Sequence, residues 1–169
     1  ISTVSQRVES WFREQLQTAA PLEKRPVPLG ELRLGLMSAT DLSPQVAQTF
    51  ADLSRLIVSA GGSVVIPETP AFLQAASFCQ MFETETSLQA SLAYGQYSKH
   101  AGFHIMESPT QDWLESLTGL GASGIDLILA YTASHPQQTH PMLPVLQVTD
   151  DSQLFETYQT DLDACLHPA

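Results

Sequence analysis

The sequence predicts an α/β fold, a Rossmann-like three-layer domain with a mostly parallel sheet, and three observations carry that expectation. Short apolar runs alternate with helical-period segments along most of the 169 residues. Helix-start signals follow several of those runs, as at Ser43-Pro44. The stretch Leu32 to Ile66 reads as strand, helix, strand, a unit whose parallel strands demand a right-handed crossover and a sheet covered on both faces.

From Val4 to Ala19, the residues Val4, Val8, Trp11, Phe12 and Leu16 recur at helical spacing, which predicts an amphipathic helix ended by Pro21. Trp11 and Phe12 on that helix suit packing against a neighbour. Pro26 and Pro28 make the next stretch extended, because proline drives its predecessor out of the helical region. Residues 1–25 therefore read as an N-terminal helix and linker, and 26–169 as a single α/β domain. Leu32, Leu34 and Leu36 alternate with Glu31, Arg33 and Gly35, a strand from Glu31 to Met37 that runs into Ser38-Ala39-Thr40-Asp41. A helix from Ser43 follows, stopped by Gly61-Gly62, and Ser63 to Ile66 is a short buried strand.

Ala71 to Phe82 reads as helix and Leu88 to Tyr94 as strand. Phe103 to Met106 is a further strand, and Ser108-Pro109-Thr110-Gln111 has the form of a capping box opening a helix that runs to about Ala122. Leu127 to Tyr131 and Val145 to Val148 are strands, and a last helix is expected from about Ser152 to Leu166.

Charge narrows the function classes. Eighteen acidic groups against seven basic ones give −11, and only Lys99 of the cations lies beyond Arg55, so nucleic acid and anionic membranes, which need clustered Lys and Arg, are not expected partners. An anionic small molecule would have to be held by backbone N–H groups, a helix N-terminus or a metal. Cys79 and Cys165 have no metal or redox spacing, which suits a reducing, cytoplasmic setting. The chain starts at Ile1 rather than methionine, compatible with its being a piece of a longer protein.

In an open parallel sheet, ligands gather at the carboxyl ends of the strands. Four segments should meet there: Ser38 to Asp41, Glu68-Thr69, Glu107-Ser108, and Thr132 to His135. Asp41, Glu68 and Glu107 are the candidate catalytic carboxylates, and Ser38, Thr40, Thr69, Thr132, Ser134 and His135 the candidate substrate-binding groups. Such a set suits a polyhydroxylated acid or a hard cation; the same residue types also favour strand ends simply as caps and turn formers. His100 and His104 are four apart but fall across a strand start, so they are not expected to share a metal. His135 and His140 read as solvated loop residues. Gly119 and Gly121 lie inside a helical pattern and suit tight packing on the sheet better than a dinucleotide turn, and neither a phosphate loop nor a nucleophile elbow is present.

Several stretches resemble the C-terminal domain of the altronate/galactarate dehydratase family. Residues 26–36, PVPLGELRLGL, are similar to the family's PVPLSELVLGL, and 61–70, GGSVVIPETP, to GGTAILSETPE. Residues 102–109, GFHIMESP, resemble GLYLMDTPG; 116–124 with 127–132 resemble SVTGLVAAGAQLVLFTTGRG; 161–164, DLDA, resemble the start of DMDINAG. The resemblance implies a lyase that removes water from a sugar acid to give a 2-keto-3-deoxy acid, working through several domains with ferrous iron or manganese; the sequence itself shows no cofactor motif. Such chemistry takes a base for the proton beside the carboxylate and an acid or metal for the leaving hydroxyl. Ser38 stands where the family's GLQCGGSD has cysteine, Glu107 replaces the aspartate of its MD pair, and Thr132-Ala-Ser-His135 replaces TTGRG, whose arginine would suit a substrate carboxylate. A long family insertion ending in GGLTTIEEKSLG is replaced by the short stretch Ala71 to Ser87. The expectation is a divergent C-terminal domain of a sugar-acid dehydratase, not catalytic alone and associated with other domains or subunits. Two alternatives stay open: an active hydro-lyase subunit using Asp41, Glu68, Glu107 and Thr132, or a small-molecule-binding regulatory domain.

Overall fold

The computed structural model describes residues 26–84 and 88–166, together with Gln6, Arg7, Ser10 and Trp11, which are helical. Most of the expected Val4–Ala19 helix and its linker lies outside the described residues. No helix among them is long and apolar enough to cross a membrane.

A single 3-10 turn, Leu29–Glu31, leads into β1, Arg33–Ser38. Helix α1, Pro44–Ser59, follows, then β2, Ser63–Pro67. Next come two short helices, α2, Pro70–Leu73, and α3, Ala76–Thr84, and strand β3, Gly102–Met106. Helix α4, Trp113–Ala122, β4, Leu127–Tyr131, β5, Val145–Thr149, α5, Ser152–Thr157, and β6, Ala164–Cys165, complete the order. The strands form one six-stranded sheet, ordered β3-β2-β1-β4-β5-β6, and all five pairings are parallel. This is the expected α/β architecture.

Strand alternation separates two cores. Leu34, Leu36 and Ile66 join Phe50 and Ile57 of α1 and Phe78 of α3 on one face. There Phe72 meets Phe78 edge-on at 5.3 Å between centroids, and Phe103 packs on Phe78 and Phe82. Met37, Val65 and Ile128 join Leu117 and Leu120 of α4 on the other face. Gly35 is small by necessity, since a Cβ there would lie 2.3 Å from Ile125 Cδ1. Gly119 gives α4 its close seat on the sheet, because an added Cβ would stand 2.5 Å from a Tyr94 ring carbon and 3.0 Å from Met106 Cε, as the packing reading of that glycine required.

Four local expectations are corrected. The helix read from Ala71 to Phe82 is two pieces broken at Gln74-Ala75. Leu88 to Tyr94 is no strand but touches β3 only through single bridges, Leu88 to Phe103 and Leu92 to Met106. Gln89 N donates to Phe103 O and Leu92 N to Ile105 O, so three residue steps on this segment span two on β3 and no regular ladder forms. Ser108 does not open α4: its hydroxyl donates to Thr110 O, and Asp112 caps the helix by accepting from Glu115 N at 2.9 Å. The last helix stops at Thr157, although Leu154, Tyr158, Leu162 and Leu166 keep a helix-like spacing of four. Leu162 is buried just past the turn of residues 158–161, and Asp163 pairs with Gln147 in both directions, its N–H donating to Gln147 O at 2.8 Å and its carboxylate accepting from Gln147 N at 2.7 Å, which lays Ala164–Cys165 beside β5.

Candidate functional site

The carboxyl ends of β1 and β2 and the start of α4 enclose a crevice of about 430 Å³. Met37 to Asp41 form one wall, Pro67 and Thr69 to Ala71 a second, and Gln111, Trp113 and Ser116 the third. Four of the expected site residues, Ser38, Thr40, Asp41 and Thr69, are thus brought together. Backbone bonds hold the walls: Ala39 N donates to Tyr131 O, and Glu68 N to Met106 O. Trp113 Nε1 donates to Gln138 O at 2.7 Å, which anchors the third wall to the loop between β4 and β5.

Within the walls, Ser38 Oγ donates to Thr40 O, while Thr40 Oγ1 is buried and has no hydrogen-bond partner. An unpaired buried hydroxyl costs about 1–3 kcal/mol, so it marks a wall not fully satisfied as it stands. Asp41 is exposed, as are Glu68, beside the crevice in sequence, and Glu107, at the end of β3. Among the described residues no three His, Cys, Asp or Glu side chains group so as to hold a metal ion. Asp41, Glu68 and Glu107 therefore do not fit the iron or manganese that the resemblance implies, and no step is assigned to a metal here.

Thr132, Ser134 and His135 are not among the residues lining the crevice. Thr132 Oγ1 donates to His135 O at 2.7 Å and Ser134 Oγ lies 3.1 Å from His135 Nδ1, so their polar groups close on one another in a separate turn. His104 is buried, its Nε2 2.8 Å from His100 O. His135 is exposed, and His140 Nδ1 accepts from Met142 N at 3.2 Å.

Sequence reasoning missed Gln111, Trp113 and Ser116. The signal was the spacing of Asp112 to Glu115, a carboxylate cap three residues ahead of a glutamate, which moves the helix start four residues later and leaves Gln111 to line the crevice. It also missed a network at the ends of β4 and β5. Asp150, just past β5, accepts from Tyr131 OH at 2.7 Å and from Ser43 Oγ at 2.8 Å, while Ser43 Oγ itself accepts from Val46 N at the start of α1. Burial, then the bond to Asp150, then the charges of Asp150 and Asp151 push the Tyr131 phenol well above its ordinary range. Burial and the same two carboxylates push up the Cys165 thiol.

Fold and crevice together define an α/β domain with a ligand-sized, hydroxyl-lined opening at the carboxyl edge of a parallel sheet. Residues 79–166, just over half of the chain, match the family described as D-galactarate/altronate dehydratase, C-terminal. The chain belongs to that family. The matched range contains the stretches at 102–109, 116–132 and 161–164, while the resemblances at 26–36 and 61–70 lie ahead of it. No curated protein matched the chain.

Proposed function

We propose that this domain holds the hydroxylated part of a sugar acid at the β1/β2 crevice of a cytoplasmic carbon–oxygen lyase, with the proton-transfer chemistry completed by other domains or subunits. The observation that carries the reading is the crevice itself. Ser38, Thr40, Thr69, Gln111 and Ser116 are among the residues around a space of about 430 Å³, within the usual range of small-molecule sites. Ligand hydroxyls both donate and accept, which suits such a wall. Thr40 lines the crevice with a hydroxyl that lacks a partner, and a ligand hydroxyl would supply the missing bond. The two free thiols support a reducing compartment.

Thr40→Val tests the reading. Removing a buried hydroxyl without a partner should leave thermal stability unchanged or raise it by about 1 kcal/mol, while calorimetric affinity for altronate falls. Equal altronate binding by both proteins, or a clear loss of stability in the variant, would place the ligand elsewhere or give Thr40 a structural bond.

A further inference from the structure

A second cavity, independent of the crevice, lies along β3 at the edge of the sheet. It measures about 220 Å³, shares no lining residue with the crevice, and is walled by residues between Gln89 and His100 and by His104. Strand alternation accounts for His104. Phe103 and Ile105 pack with the aromatic core on one face, so His104 falls on the other with Met106. His104 is 3% exposed, and its Nε2 lies 2.8 Å from His100 O. A carbonyl only accepts, so Nε2 carries the proton of the neutral ring and Nδ1 keeps its lone pair. That Nδ1 is buried and has no hydrogen-bond partner among the described residues. Leaving a buried acceptor without a donor is costly, which points to a group that arrives with one.

The other polar groups around the cavity have the opposite need. Lys99 lines it, and no Asp or Glu does. Gln96 Oε1 accepts from Ala93 N at 2.9 Å, so the NH2 end of that amide is left to donate. A bare acceptor thus shares one cavity with an ammonium and an amide donor. We propose that the cavity binds a small oxyanion that carries its own O–H, hydrogen phosphate or a short 2-hydroxy acid, with anionic oxygens on Lys99 and Gln96 and the O–H donated to His104 Nδ1. The volume, below the roughly 300–1,000 Å³ of drug-sized sites, suits a ligand of a few heavy atoms. A metal ion would use the same lone pair, but among the described residues no three His, Cys, Asp or Glu side chains group to hold one, and the Lys99 ammonium in the same cavity repels a cation.

Calorimetry of the full chain near neutral pH uses two matched pairs of probes. Phosphate retains an O–H at that pH where sulfate has none, and lactate has the hydroxyl that propionate lacks. Phosphate should bind on the order of tenfold more tightly than sulfate if the inorganic ion is the ligand, and lactate than propionate by a similar factor if the hydroxy acid is, because the weaker member of each pair leaves Nδ1 without a donor. Lys99 is exposed, so Lys99→Ala should leave the fold intact and weaken the preferred probe on the order of tenfold, while Thr40→Val at the crevice should not change it. Loss of binding in Thr40→Val with none in Lys99→Ala would move the ligand to the crevice and overturn the inference. Equal binding within both pairs would overturn it too, as would silence from all four probes, which leaves a buried water as the partner of Nδ1.

Discussion

Replacing Asp150 by alanine is expected to destabilise the fold by about 2–3 kcal/mol, and the figure follows from which partners are left behind. Tyr131 is only 2% exposed, and its hydroxyl, 2.7 Å from Asp150 Oδ1, would lose its acceptor. Orphaning such a group costs about 1–3 kcal/mol, toward the upper part of that range where the lost acceptor was charged. Ser43 would lose its 2.8 Å bond but is half-buried and keeps Val46 N, so its share is about 0.5 kcal/mol. Tyr131→Phe removes the donor instead and should cost about 1 kcal/mol. The double variant should fall short of the sum by about 1–2 kcal/mol, since either change alone breaks the shared bond. Urea unfolding of the four proteins at neutral pH reads this cycle. Strict additivity, or a loss below about 0.5 kcal/mol in Asp150→Ala, would refute the claim that this bond ties the end of β4 to the end of β5. A pH arm gives the sign independently. The folded chain holds the Tyr131 proton more tightly than the unfolded chain does. Its contribution is thus fully present below the unfolded value of about 10 and is lost as pH rises beyond it. Wild-type stability should fall more steeply than that of Tyr131→Phe between about pH 9 and 11.

Gly119→Ala sets a helix-propensity gain of about 1 kcal/mol against a Cβ 2.5 Å from the Tyr94 ring and 3.0 Å from Met106 Cε. Tyr94 is held by its hydroxyl, which donates to Glu115 O at 2.7 Å, so the crowding should win by about 1 kcal/mol and lower the melting temperature; a higher melting temperature would show that the ring swings aside freely. In a Cys79→Ser background, Cys165 should react with iodoacetamide at pH 8 more slowly than free cysteine, because burial and the Asp150 and Asp151 charges disfavour its thiolate. A rate equal to that of free cysteine would contradict the shift.

Most of the sheet was legible because buried strands are written in contiguous residues. Leu127 to Tyr131 is bounded by Gly124 and the polar turn at Thr132, and both its ends were read correctly. Leu88 to Tyr94 is also apolar-rich but is offset by one residue against β3, and register is a tertiary property that composition does not encode. The last helix failed for the complementary reason: four residues spaced by four mimic a helix stripe, whereas the pairing of Asp163 with Gln147 on β5 decides the outcome. At the site, Ser38 to Asp41 and Thr69 were legible because each directly follows a strand of a parallel sheet. Thr132 to His135 follows a strand just as directly, yet its polar groups satisfy one another, a local competition that no strand-end rule anticipates.

The strand order also bears on why a Rossmann-like sheet here carries no nucleotide signature. With β1 beside both β2 and β4, the order reverses between β1 and β4, where dinucleotides bind in sheets of this order. That mode needs a glycine-rich turn after β1 and free N–H groups at the start of the next helix, both directed at a pyrophosphate. This chain has no glycine between Ser38 and Pro44, starts α1 with proline, and caps Val46 N with Ser43. Asp150, just past the end of β5, accepts from Tyr131 at the end of β4 and from Ser43 before α1, so a carboxylate stands among the ends of these elements. The usable space instead lies between the ends of β1 and β2 and the start of α4, where hydroxyls rather than phosphate-binding groups line it. A shared strand order thus sets where the edge is, and the residues from Ser38 to Pro44 lack the glycine-rich turn that a pyrophosphate needs there.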